Sequence, residues 1–553
     1  MPQITDTEKD PIAFPELSET DMAAIRCMAS VCEFEDGQTV FQAGDADVDF
    51  FVVESGEIEV LNPTDDHQHI VTHGPGQFAG DIDMLTRRPV VVTIVSRGKS
   101  RLLRVPGSHL RELLNRVPRL GEKLICAFQE RRRLLQAAGV VGLKVVGPGK
   151  CKDTTLVREF LNKNFVPFTW FDSESPKGKE YMRAWGSPKK SPVIECGDGT
   201  RLINPSLQEL AHGARVWHNC PTKPVDLAII GGGPAGMTAA VYAASEGIDT
   251  LVVDRLGPGG QAGGSSKIEN FIGFPSGLSG TELATRSVLQ MLKFGATMVA
   301  PVNVKQIEPR APGEEFHVLN LDCGTRLQAR VVLVAAGVSW RRLEAEGAER
   351  FEAAGIHHAC TWVEATLYDK QDVAVVGAGN SAGQAAMFLA ECCRERRVHM
   401  IIRKKLGPGM SEYLVQRIRA TPNIVLHEGA EIASASGKRK LERVTLKAFD
   451  GNGKPGETLD VGAVFVFIGA EPGCGWLPEA IARDQLGYIL TGIEALRSGK
   501  WPLTDRQPCD LETTLPGILA AGDIRSGSTK RVGFAVGDGS LAVTCVHRLR
   551  TMR

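Results

Sequence analysis

The sequence predicts a multidomain chain: an N-terminal antiparallel β-roll with flanking helices, then a small α/β unit, then two α/β units built to hold dinucleotides. Three observations carry this. Two glycine-rich turns, Gly231-Gly-Gly-Pro-Ala-Gly236 and Gly377-Ala-Gly-Asn-Ser-Ala382, each follow a short apolar run and open an Ala-rich stretch. The first 138 residues alternate brief strand-like runs with Gly and Asp turns. Residues 141–216 alternate strand and helix patterns.

A chain of 553 residues has room for about three to five domains. Its formal net charge is −1 and its Lys and Arg are spread along the whole length, so no electrostatic footprint for nucleic acid exists. No apolar run reaches about eighteen residues, and Met1 to Asp10 lack an apolar signal core. The expectation is a cytoplasmic enzyme with no membrane partner. The 13 cysteines show no metal-type spacing and no Cys-x-x-Cys, which predicts reduced thiols and no metal site.

In the roll, residues 1–138, strands and turns are expected over Glu33–Val40, Gln42–Asp45 and Asp49–Val60, with helical stretches at 18–30 and 108–137. Arg131 to Arg133 read as a solvated helix face. The order Gly44-Asp45, Phe50-Phe-Val-Val53, Ser55-Gly-Glu-Ile-Glu-Val60 and Pro75-Gly-Gln-Phe-Ala-Gly-Asp81 resembles the cyclic nucleotide-binding domain. That resemblance implies a cyclic nucleotide as ligand. The family places an acid after Gly for the ribose and an Arg just after Pro for the cyclic phosphate; here Gly80-Asp81 is followed by Pro89-Val90-Val91. Loss of such a charge-assisted contact typically costs about 1.5–3 kcal/mol. Arg87 or Arg88 would be the replacement; otherwise the roll docks or dimerises without a nucleotide.

Residues 141–216 read as strand Leu143–Val146, helix Thr154–Lys163, strand Phe168–Asp172, helix Lys179–Trp185, strand Pro192–Glu195, strand Thr200–Ile203 and helix Ser206–Ala214. This order resembles a thioredoxin or glutaredoxin domain, with Ser191-Pro192 at the place of that family's cis-proline. The resemblance puts Cys151 where the attacking cysteine lies and Thr154 where the second lies, a monothiol pattern. A cysteine before a helix, flanked by Lys150 and Lys152, has the setting of a reactive thiol; a chance cysteine in the same place is the alternative. A short Pro-bearing linker, Trp217 to Pro224, follows.

The glycine turns read as the strand–turn–helix openings of two Rossmann units, in which glycine lets the backbone approach a pyrophosphate seated on the helix N-terminus. After the first, Leu251-Val-Val-Asp254 ends a strand in an acid suited to a ribose hydroxyl, as in FAD. After the second, His399-Met-Ile-Ile-Arg403-Lys404-Lys405 offers cations in that place, which favours the 2′-phosphate of NADPH. The alternative is an exposed basic strand end.

From 225 onward the chain resembles low-molecular-weight thioredoxin reductases and their relatives. Beyond the glycine turns, the resemblance rests on Gly259-Gly-Gln261, Lys267-Ile-Glu-Asn-Phe271, Val332–Gly337, Val464–Gly469 and Ile518-Leu-Ala-Ala-Gly-Asp523. It implies an FAD domain from 225–337 and 470–553 with an NADPH domain, 338–469, inserted between them, and a homodimer. The FAD residues implied are Gly231, Gly233, Pro234, Ala235, Gly236, Asp254, Gly260, Gln261, Asn270, Gly337, Gly522, Asp523 and Val532. Those implied for NADPH are Gly377, Gly379, Asn380, Ser381, Ala382, Arg403 and Lys404.

The family's redox disulfide lies in Ala-Cys-Ala-Thr-Cys-Asp; here the same stretch reads Ala359-Cys360-Thr-Trp-Val363-Glu364. Val363 replaces the flavin-proximal cysteine, so a single outer thiol cannot complete the dithiol cycle. Glu364 is the candidate proton-handling acid, or else a solvated carboxylate at a helix start. The resemblance implies hydride transfer from NADPH to FAD and then to an acceptor: a one-electron protein, oxygen or a quinone, or Cys151 with Cys360 as mixed-disulfide partner. A non-catalytic flavin sensor is the rival reading. Adjacent Cys392-Cys393 are expected to pack on core.

Overall fold

The computed structural model describes residues 10–62, 69–86, 88–138, 142–149, 151–311, 313–352, 354–360, 362–407, 409–438, 440–449 and 456–551. Arg87 and Lys150 lie outside the described residues.

The roll is built on a 12-residue strand, Phe50–Leu61, and a 13-residue strand, Thr93–Val105, which pair antiparallel. Ser30–Phe34 and Thr39–Phe41 pair with Thr93–Val105, and His69–His73 and Phe78–Ala79 with Phe50–Leu61. The expected run Glu33–Val40 is therefore two strands around a turn at Gly37, whose φ of 73° suits glycine. The expected helix 18–30 spans only Glu19–Arg26, opened by a Ser18/Asp21 capping box. The expected helix 108–137 is broken. Leu110–Arg116 stops at Val117, with φ −125° and ψ 82°, and Pro118–Ala138 begins anew, because a proline bars its predecessor from helical geometry.

Arg131 and Arg132 do not form a wetted face. They are 7% and 4% exposed, on the side of Pro118–Ala138 that closes over the roll; only Arg133 is solvated, paired with Glu130. A helix face is decided by what covers it, and here Ala13, the Phe78–Asp83 stretch and Phe165 cover two of three adjacent arginines.

In the small unit Leu143–Gly147 is central. It pairs parallel with Phe168–Asp172 and antiparallel with Val193–Glu195, which pairs in turn with Arg201–Ile203. Helices Lys152–Lys163, Pro176–Ala184 and Leu207–Gly213 accompany this sheet. The Ser191-Pro192 bond is cis.

The next sheet runs Thr297–Val299, Thr250–Val253, Val225–Ile230, Arg326–Val334, His317–Leu321, Val304–Glu308. Its first four strands are parallel, and Ile518–Ala520 returns from far along the chain to pair parallel with Arg326–Val334. A second parallel sheet orders Ile356–His357, Ala463–Val466, Val373–Val376, Val398–Ile402 and Ile424–Glu428. Its central strands are uniformly apolar and buried, as sheets covered on both faces require. Among the described residues no helix is long and apolar enough to cross a membrane.

His317, fully buried in the first of these sheets, accepts a hydrogen bond from the Arg310 amide at Nδ1, and burial with the nearby Arg310 charge pulls its pKa down to about 4. The unfolded chain, with His near 6.5, binds the proton more readily. Stability is therefore expected to be full above pH 6.5 and to fall by about 3 kcal/mol as pH drops to 4. Urea midpoints across that window should show a shallower slope in His317→Phe; an unchanged slope would mean that this imidazole protonates in place.

Candidate functional site

The first glycine turn connects Val225–Ile230 to the helix Pro234–Ser245. Gly231 has φ 110°, and a Cβ there would stand 2.4 Å from the Ala335 carbonyl oxygen. A Cβ on Gly236 would stand 2.0 Å from the Gly231 carbonyl oxygen. These contacts force glycine for backbone reasons. The helix starts on Gly233 with no side-chain cap, which leaves first-turn N–H groups for an outside acceptor. Pro234 at the first turn gives up no needed donor.

Asp254, just past Thr250–Val253, accepts from the Gly232 amide at Oδ2 (2.7 Å) and from the Leu256 and Gly257 amides at Oδ1 (2.9 and 2.8 Å). One carboxylate thus fixes both loops, and Oδ2 keeps acceptor capacity. Gly260 abuts Gly233, where an added Cβ would lie 2.8 Å from the Gly233 Cα. Gln261 donates to the Val338 carbonyl, and Gly337 turns at φ 64°. Gly522 stacks on Ala235, and its amide donates to Asp538. Val532 opens the helix Val532–Thr551, which packs on Pro234–Ser245. Asn270 is exposed on a loop and is the one residue of this set not drawn in.

Asp523 is the informative member. Burial raises its pKa against the nearby Lys530 charge, and the residue is half-buried. A partly desolvated carboxylate is stabilised by a donor. A hydroxylated ligand chain over the uncapped helix would supply the donor. These residues therefore fit FAD.

The second turn repeats the geometry. Gly377 has φ 139°, an added Cβ would stand 2.4 Å from the Phe467 carbonyl oxygen, and the helix Asn380–Cys392 starts on Gly379 without a side-chain cap. Asn380 Oδ1 accepts from the Ser411 amide at 2.7 Å, Ser381 lies in the first turn, and Ala382 is buried under it. Arg403 pairs with Glu431 at 3.0 Å and lies over Phe449, while Lys404 is exposed. An exposed pair of this kind is worth about 0–1 kcal/mol, little against a phosphate. The set fits a dinucleotide with a 2′-phosphate.

Cys360 pairs through its backbone with Ser265, which brings it beside the Gln261–Gly264 turn. Cys360 is 3% exposed, and burial with the Glu364 and Cys392 charges pushes its thiol pKa well up. A protonated buried thiol is inert. Maleimide at pH 7.5 should leave Cys360 unmodified in the native protein while it labels exposed Cys27 and Cys126, read by peptide mass; rapid Cys360 labelling would overturn this. Glu364 sits half-buried in the short helix Trp362–Leu367, whose Ala365 carbonyl, with that of Tyr368, is held by the buried Arg396. Cys392 is half-buried against core.

Cys151 stands at the N-cap of Lys152–Lys163, half-buried. Its turn faces the helix that holds Glu364: a Cβ on Gly149 would lie 3.1 Å from Leu367 Cδ2. Arg158, stacked on Trp170 at 4.2 Å, is buried, and burial lowers its pKa against the opposing charges of Glu364 and Asp172. The far end of the same helix reaches the loops beside the first glycine turn, with Lys163 donating to the Gly260 carbonyl and Asn164 to the Leu256 carbonyl, both at 2.8 Å. Sequence reading misses Arg158, Lys163 and Asn164. Their partners lie elsewhere in the chain, and no local pattern marks them.

In the roll, Val90, Val91 and Val92 line a cavity where the phosphate-binding Arg of the resembled family would stand. Arg88 does not replace it, because it turns away to donate to the Asn164 carbonyl.

The sequence profile of the pyridine nucleotide-disulphide oxidoreductases matches residues 225–539, and that of the cyclic nucleotide-binding domain matches 31–117. The thioredoxin reductase of Ureaplasma parvum is 32% identical over 57% of this chain and 94% of its own length. An alkyl hydroperoxide reductase component of Staphylococcus aureus is 27% identical over 63% of each chain, and an NADH dehydrogenase of Bacillus subtilis 26% identical over 63% of this chain. The chain spans 63% and 62% of the length of those two relatives. The crystal structure of Lactococcus lactis thioredoxin reductase superposes with a TM-score of 0.51 at 26% identity, covering 59% of this chain and 98% of that one.

Proposed function

Because the chain belongs to the pyridine nucleotide-disulphide oxidoreductase family, we propose that it is an FAD-dependent NADPH oxidoreductase that works without paired cysteines beside the flavin. Residues 225–337 and 470–553 would hold FAD and 338–469 NADPH. When bound, the nicotinamide supplies a hydride and the flavin accepts it. The chain's own residues bind and orient: the turns at Gly231 and Gly377 seat two pyrophosphates, Asp523 accepts from a hydroxylated chain, and Gln261 holds the Val338 carbonyl in place. The observation that carries this reading is the pair of uncapped helix starts at Gly233 and Gly379, each with a glycine turn that tolerates no side chain.

The test is anaerobic titration with NADPH. A yellow protein that bleaches with about one equivalent, and regains colour on mixing with oxygen or a quinone, is the expected result. FAD binding with no bleaching would identify a sensor instead.

A second reading sends two electrons to a mixed disulfide between Cys151, in the 141–216 unit read as thioredoxin-like, and a disulfide substrate, which returns both sulfurs to thiols. It is favoured by the contact between the Cys151 turn and the helix of Glu364, and Cys151 serves it better than the buried Cys360. If Cys151→Ser bleaches normally but loses disulfide reduction, that route is the working one. The roll, with valines in the cassette, is read as having lost its cyclic phosphate.

A further inference from the structure

Between the roll sheet and the helix Pro118–Ala138 lies a cavity of about 60 Å³ that opens to solvent at its mouth. Its wall is mostly apolar and includes Val60, Ile70, Val91, Met84 and Leu135. A single guanidinium lines it among the described residues. Arg131 is 7% exposed and is held by three backbone carbonyls: Nε donates to Ala13 (2.7 Å), and Nη1 donates to Phe78 (3.0 Å) and Gly80 (2.8 Å). Among the described residues its Nη2 has no acceptor.

Carbonyls satisfy the hydrogen bonds of a guanidinium but not its charge. The two carboxylates nearby, Asp81, which also lines the cavity, and Asp83, are both bonded to Arg132, so Asp81 offsets the Arg131 charge only from a distance. Burial lowers the Arg131 pKa to about 9, so it remains charged at neutral pH. A buried cation with one free donor edge and no carboxylate bonded to it is an arrangement that an anion relieves. Only one nitrogen is free, which suits a single carboxylate oxygen better than a phosphate that needs several donors.

We propose that this cavity binds an apolar molecule ending in one carboxylate, its hydrocarbon against the valine wall and its carboxylate on Nη2 of Arg131. This stands apart from the oxidoreductase reading. The occupant would lie one residue from Arg132, which donates to the Phe165 carbonyl of the neighbouring unit.

The test is isothermal titration of the full-length, flavin-loaded protein with octanoate, octan-1-ol and cyclic AMP. Octanoate should bind saturably. Arg131→Met should weaken octanoate at least tenfold and leave octan-1-ol unchanged. Leu135→Trp, which fills the cavity without touching the guanidinium contacts, should abolish octanoate binding at an unchanged urea midpoint, so the site remains testable if Arg131→Met does not fold. Absence of octanoate binding, equal octanoate affinity in wild type and either variant, or cyclic AMP displacing octanoate would each overturn the proposal.

Discussion

A Gly231→Val variant is expected to purify colourless and to refuse reconstitution with FAD. At φ 110° a β-branched residue is strongly disfavoured, and its Cβ would sit 2.4 Å from the Ala335 carbonyl oxygen, a backbone atom that cannot rotate aside. The turn must open, and the N–H groups at Gly233 then no longer converge on one point. Gly377→Val is the matched control. It meets the Phe467 carbonyl oxygen at the same 2.4 Å but lies in the other dinucleotide turn. That variant should remain yellow and lose bleaching by NADPH, which separates loss of one coenzyme from general misfolding. The measurement is the flavin absorbance of the purified proteins with and without NADPH under argon. A yellow Gly231→Val protein that bleaches normally would remove the basis for the flavin assignment.

Arg132→Met should cost stability heavily, by about 3–5 kcal/mol, the range for stripping one partner from a buried ion cluster. Arg132 is 4% exposed, donates through Nη2 to both Asp81 and Asp83, and reaches the Phe165 carbonyl through Nη1 at 3.2 Å. Without it two carboxylates would share a desolvated site. Burial already raises Asp83 to about 6, so the Met variant should take up a proton there at neutral pH. The readout is the urea midpoint of the roll, followed by far-ultraviolet circular dichroism, with flavin absorbance as a check that the other units stay folded. A loss under about 1 kcal/mol would mean that water reaches the cluster.

Legibility in the sequence follows the range of the interaction. The two glycine turns, the alternating strands of the roll and the strand–helix order of 141–216 are readable because each depends on residues a few positions apart. The break at Val117 is present in the sequence as Pro118, but the flanking apolar pattern runs through it and masks it. Arg131 and Arg132 read as solvated because a charged triplet normally is. Only the segments packed over them, with partners up to 118 positions away, make them interior. The Cys151 turn and the Glu364 helix likewise meet through packing alone.

The sequence by itself determined the places where backbone geometry admits only glycine, the acids and cations that end the neighbouring strands, and the valine standing where a second redox cysteine would be. The tertiary structure decided which thiol is buried, which arginines lose water, and that the helix behind Cys151 touches the loops of the first dinucleotide turn. The division has a physical cause: φ/ψ preference and hydrophobic periodicity act within a few residues, whereas burial and charge balance are properties of a neighbourhood that only the folded chain assembles.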